Sequence, residues 1–189
     1  MMGAPVFLCG MMGCGKSSVG RLAALRAGVS FIDLDLRIER MFGATIAALF
    51  EQGEAAFRAR EQQALRSLVA EPSFRRRTVF VATGGGAVVD PANRQTMDAV
   101  GRRVFLQVPL PQLAARLRSG PARAARPLVA ESSDDADLAA RLGAIWTARQ
   151  SAYEDGALPI VATGSVEQVA ERLLDALDLS PQVGDTRPA

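Results

Sequence analysis

The chain has 189 residues, 49% of them hydrophobic and 22% charged, with a formal net charge of +2. That length suits one domain with a real core, and the small basic excess does not call for nucleic acid or another polyanion as partner. With no histidine, and with its two cysteines, Cys9 and Cys14, flanking a glycine-rich turn, neither a zinc site nor a disulfide framework is expected, and a reducing cytoplasm is the default. The charge-free run from Met1 to Gly15 carries four glycines, lacks a basic leader and is too short for a membrane span, and no membrane segment is expected elsewhere.

In chain order, Pro5 to Cys9 reads as a short buried strand that ends in glycines. Lys16 to Ala27 has helical spacing, with Val19, Leu22, Ala23 and Leu25 expected toward the core. A second strand follows at Ser30 to Leu34, then short helices at Leu36 to Met41 and Ile46 to Phe50, and a longer one at Glu54 to Val69. Thr78 to Ala82 is a third strand, halted by Gly84, Gly85 and Gly86. A helix near Pro91 to Ala99 leads to a fourth strand, Arg103 to Val108, and then to a helix at Pro111 to Arg118. Ser119 to Ser133 breaks the pattern and is expected to be mobile. A helix from Asp134 to about Glu154, a strand at Pro159 to Ala162 and a helix at Val166 to Leu177 complete the fold. Strands alternating with helices imply an α/β fold, a parallel sheet covered on both faces. We expect a single domain over residues 1–178 and a disordered tail over residues 179–189.

Gly10-Met11-Met12-Gly13-Cys14-Gly15-Lys16-Ser17 matches the phosphate-loop pattern G-x-x-x-x-G-K-[ST] in full, after a strand and before a helix. Backbone N–H groups of such a loop converge on phosphate, the lysine reaches the β- and γ-phosphates, and the hydroxyl holds Mg²⁺. Of 22 basic residues only Lys16 is lysine. Coding bias explains the arginines, but a compact ammonium in one place marks a need for the point charge itself.

Asp33 and Asp35, two apart at the end of the second strand, are expected to face the same crevice, because ligands of parallel sheets sit beyond the strands' carboxyl ends. One would serve Mg²⁺ and the other the attacking hydroxyl, although Asp35 before Leu36 could equally be a helix cap. Arg58 and Glu61 share a helical face, as do Glu54 and Arg58. Taken alone that is a solvated salt-bridge ladder, and Arg149 alone is unremarkable. Arg126 lies in the irregular segment, where an arginine could close over phosphates. Three glycines after a buried strand allow a ligand to approach the backbone closely, which a plain turn seldom requires.

Together the runs FLCGMMGCGKSSVGRLAA, FIDLDLRIE, GEAAFRARE, VATGGGAV, ARPLV and ARQSAYED resemble the shikimate kinase family over Pro5 to Leu177. The resemblance implies a P-loop kinase fold of the nucleoside-monophosphate-kinase type, a three-layer sandwich with sheet order 2-3-1-4-5 and a lid at about 117–133. It implies transfer of the ATP γ-phosphoryl group, with Mg²⁺, to the 3-hydroxyl of shikimate, by a monomer. On that reading Gly13, Cys14, Gly15, Lys16, Ser17 and Ser18 hold the nucleotide, while Ser17 and Asp33 serve the metal. Asp35 polarises the acceptor hydroxyl, Arg58 and Arg149 grip its carboxylate, and Glu61, Gly84, Gly85 and Gly86 line its site. Arg126 meets the transferred charge and Arg116 the adenine side.

The chain departs from the family in a segment one residue shorter before Gly53 and in a longer stretch between Arg116 and Arg126. It also carries Gln150-Ser151-Ala152-Tyr153 where an Asn-Pro-Leu-Tyr-like run is usual. A kinase for gluconate or a nucleotide, or a nucleotide-binding regulator without catalysis, are the competing readings.

Overall fold

The computed structural model describes residues 3–118, 129 and 132–180. Among these, five strands form one parallel sheet in the order β2-β3-β1-β4-β5. The strands are β1 (Val6–Cys9), β2 (Ser30–Asp33), β3 (Val79–Ala82), β4 (Arg102–Gln107) and β5 (Leu158–Val161). Every residue of β1 and β3 is buried, so both faces of the sheet's centre are covered, as the unbroken apolar runs require.

The helices are α1 (Lys16–Ala27), α2 (Leu34–Phe42), α3 (Ile46–Glu51), α4 (Glu54–Val69), α5 (Pro91–Asp98), α6 (Leu110–Arg118), α7 (Asp135–Glu154) and α8 (Val166–Ala176). Helix α1 packs on α8, α4 lies against α2, α3 and α5, and α6 lies against α7. Several caps expected from composition are made. Thr45 accepts from Ala48 N, Asp90 from Ala92 N with Pro91 at the first turn, and Ser165 with Gln168 forms a capping box on α8.

Two local expectations are corrected. Leu25 is 77% exposed, and the core stripe of α1 runs instead through Val19, Gly20, Ala23 and Ala24. Six residues beyond Val19, Leu25 falls on another side of a 3.6-residue helix. Leu34 is the first residue of α2 and not the last of a strand, and the cap is Asp33, not Asp35. Asp33 keeps extended backbone at φ −100°, ψ 117°, and its Oδ1 accepts from Asp35 N at 3.1 Å and Leu36 N at 3.4 Å.

Strand register sets the site. Leu8 and Asp33 both pair with Ala82, and Cys9 with Phe105, so β1, β2 and β3 end at one level. The phosphate loop, the two aspartates and the glycine triplet therefore leave the same edge of the sheet. Arg126, most of the lid segment and residues 181–189 lie outside the described residues, although Val129 within that segment is fully buried.

Candidate active site

At this edge opens a cleft of about 820 Å³, lined by Gly13, Gly15, Lys16, Ser17, Ser18, Asp33, Asp35, Arg58, Glu61, Gly84, Gly85, Gly86, Arg116 and Arg149. Residues chosen from six separate stretches of sequence thus share one cavity. Cys14 is the exception: it is buried behind the lining, its thiol 3.6 Å from Lys16 Nζ.

The phosphate loop turns at Gly10, Gly13 and Gly15, with φ of 140°, 79° and 101°. These are conformations that a side chain resists. Lys16 Nζ is buried and donates to Gly10 O at 2.8 Å and Met11 O at 3.0 Å, so the ammonium's several donors brace the loop that it serves. Ser17 Oγ donates to Asp33 Oδ2 at 2.7 Å. Asp33 therefore caps α2 with one oxygen and meets the phosphate-loop hydroxyl with the other. Arg116 donates to Gly13 O at 3.4 Å, to Cys14 O at 3.2 Å and, through its other nitrogen, to Ala162 O at 3.2 Å. It bridges the phosphate loop and the turn after β5.

Across the cleft, Arg58 is fixed from several sides. Its guanidinium donates to Glu61 Oε2 at 2.8 Å and to Glu54 Oε1 at 2.9 Å. Its Cζ lies 5.2 Å from the Phe57 ring centre and 5.8 Å from that of Phe50, and these two rings stack at 4.2 Å. The ladder foreseen along α4 is therefore real but is not simply solvated, because Glu61 is fully buried. Burial raises the Glu61 carboxyl above its ordinary range and neighbouring Asp35 adds to this, while Arg58 and Arg149 oppose it. Burial alone would lower Arg58, but Glu61 and Glu54 raise it on balance. Arg149 comes from α7, its Nη2 3.9 Å from Glu54 Oε1 and its Nη1 donating to Gly85 O at 3.5 Å. Glu54 thus stands between the two guanidiniums.

The glycine triplet serves these side chains. An added Cβ would lie 2.5 Å from Glu61 Oε1 at Gly84 and 2.2 Å from Arg58 Nη2 at Gly86, but at an ordinary 3.5 Å from its nearest neighbour at Gly85. Sequence reasoning missed Met12, Glu39, Thr45, Ile46 and Phe50 as lining residues. They come from α2 and α3 and from the loop, and nothing in their spacing announced which helix face would close the cleft.

A parallel sheet of this order, with a phosphate loop facing an arginine and carboxylate pocket, defines a P-loop phosphotransferase acting on a small molecule. The model of the family described as Shikimate kinase matches residues 12–178. The chain belongs to the shikimate kinase family. It is 41% identical over 179 residues to a shikimate kinase of Halorhodospira halophila, covering 93% of this chain and 94% of that one. A solved shikimate kinase from Acinetobacter baumannii, in complex with shikimate, superposes with a TM-score of 0.80 at 31% identity over 93% of each chain. A gluconokinase from Sinorhizobium meliloti shares the fold, with a TM-score of 0.58 at 18% identity over 94% of this chain and 93% of that one. The family is one of ATP-dependent kinases. No helix among the described residues is long and apolar enough to cross a membrane.

Proposed function

We propose that this chain phosphorylates the 3-hydroxyl of shikimate, using ATP with Mg²⁺, as a single-domain monomer in the cytoplasm. The observation that carries the acceptor is the opening of Arg58 and Arg149 onto the same cleft as Lys16 and Asp35. A hydroxy acid gripped at its carboxylate by two guanidiniums presents a hydroxyl to a carboxylate beside the phosphate loop.

The residues fit both ATP and Mg²⁺. Three left-handed glycines and a helix N-terminus form a phosphate cradle, and Ser17 with Asp33 offers hard oxygens in mutual contact, the donors that Mg²⁺ takes. Mg²⁺ keeps waters and phosphate oxygens among its ligands, so a cage of three carboxylates is not needed. When bound, ATP supplies the phosphoryl group and Mg²⁺ the charge that neutralises it.

This chain's residues do the rest. Gly13 to Ser18 hold the phosphates, and Lys16 places positive charge where charge spreads during transfer. Asp35 aligns the attacking hydroxyl and accepts its proton. Arg58, held by Glu61, and Arg149 orient the acid over the floor of Gly84, Gly85 and Gly86. Arg126 supplies lid charge, and Arg116 borders the base-binding end.

Coupled ADP release measured with shikimate, gluconate and nucleoside monophosphates tests the reading. Turnover with shikimate alone is expected. Robust turnover only with gluconate or a nucleotide overturns it, and no turnover with any acceptor points to a regulatory protein.

A further inference from the structure

Tyr153 is the chain's one tyrosine and lies fully buried on α7. Its ring is stacked parallel to Phe105, with centres 5.4 Å apart at 7°, and to Trp146, at 6.2 Å and 13°. A buried phenol needs a partner for its O–H. The partner here is not a neighbouring helix carbonyl but Gly85 O, 68 residues away in the middle of the glycine triplet. Burial pushes the phenol up to about 12, so it remains a donor at any working pH.

Gly85 O also receives Arg149 Nη1, one helical turn back on α7, at a long 3.5 Å. Of the two donors to this carbonyl the phenol is the closer, so the tyrosine is its main anchor. A planar peptide points its carbonyl and its N–H in opposite directions. Holding Gly85 C=O toward α7 therefore sends the Gly86 N–H the other way and fixes where Gly86 meets Arg58. Both glycines line the cleft. The triplet's own φ angles give it no left-handed lock, since Gly86 sits at φ −114°, ψ −3°. Ala87 N donates to Gly84 O at 3.1 Å and closes a turn around the Gly85–Gly86 peptide, but with glycine at both central positions that peptide can face either way unless Gly85 O is held.

We infer that Tyr153 is a positioning residue for the acceptor subsite: its hydroxyl sets the Gly85–Gly86 peptide plane and, through it, the seat of Arg58 and the acid substrate. This rests on the proposed function.

The test is Tyr153→Phe, which keeps the ring stack and removes the hydroxyl, both its donation to Gly85 O and its contact with Arg149. Steady-state kinetics should show the KM for shikimate rising roughly ten-fold, about the effect of one hydrogen bond. The KM for ATP should stay within about two-fold and kcat should fall by less than the KM rises. A merely structural hydroxyl predicts a lower Tm with shikimate KM unchanged, and that result overturns the assignment. A measurement without mutation guards against misfolding. Growth on 3-fluorotyrosine labels Tyr153 alone, and its fluorine resonance should shift on adding shikimate but not on adding ADP. An unmoved resonance also overturns the proposal. Wild-type enzyme that turns over gluconate and not shikimate removes the functional reading and this assignment together, and the wild-type control alone separates that outcome from the others.

Discussion

The guanidinium of Arg58 rests directly on Gly86, so closely that a Cβ on Gly86 would stand 2.2 Å from Nη2 and 2.6 Å from Cζ. The neighbouring Gly85 has no such crowding, its nearest atom being 3.5 Å from an added Cβ. Gly86→Ala is therefore expected to displace the end of Arg58 and raise the KM for shikimate by about ten- to a hundred-fold, the scale of an ångström's misplacement. Gly85→Ala should stay within a few-fold of wild type. Equal effects at both positions in a kinetic comparison would refute the steric account.

Arg58 also compensates the buried Glu61, with N···O at 2.8 Å and no exposure of the carboxylate side chain. Removing one partner of such a pair leaves an uncompensated charge and costs about 3–5 kcal/mol. Arg58→Ala should accordingly lower stability in urea titrations as well as raising the KM for shikimate. The double change Arg58→Ala with Glu61→Leu should recover most of the stability and none of the affinity. Recovery of affinity would mean that Arg58 does not hold the acid.

Glu61 makes folding pH-dependent with a definite sign. Burial, and secondarily Asp35, raise its folded value above the ordinary 4.5, against the pull of Arg58. Above that pH the unfolded chain releases a proton that the folded chain retains. The contribution is thus complete below about 4.5 and is lost as pH climbs through the raised folded value. Tm measured from pH 5 upward should fall more in wild type than in Glu61→Gln, by roughly a few degrees. Parallel profiles would show that the carboxyl titrates normally.

Asp35 lines the same cleft as the phosphate loop but does not cap α2, a task that falls to Asp33. Asp35→Asn should leave ATP affinity nearly intact and cut turnover by roughly two orders of magnitude or more. Unchanged turnover in the coupled assay would remove Asp35 from the reaction. Asp33→Asn should differ, because its Oδ1 can still cap α2 while an amide NH₂ replaces the oxygen that receives Ser17 Oγ.

Much of the fold was legible because its signals are local. Unbroken apolar runs marked β1 and β3, and Lys16–Ser17 after Gly10, Gly13 and Gly15 marked the phosphate loop. Helices α1 and α4 run over the residues expected of them, Lys16–Ala27 and Glu54–Val69. Errors arose where two local options compete within a few residues. Extended and helical backbone both suit the Asp33-Leu34-Asp35 corner, and α2 starts early where Asp33 Oδ1 caps it. Leu25 is apolar but sits at a helical angle that faces solvent, which hydrophobicity alone does not reveal.

Sequence by itself determined the chemistry available: one ammonium in a glycine loop, a pair of aspartates, and arginines spaced along α4 and α7. These are properties of residue type and short spacing, which covalent geometry transmits directly. Only the tertiary structure decided what those groups do to each other. It buried Glu61 beneath Arg58, set Glu54 between Arg58 and Arg149, and brought Tyr153 onto Gly85 across 68 residues. Such contacts depend on strand register and on which helix face docks, and both are settled by packing of the whole core.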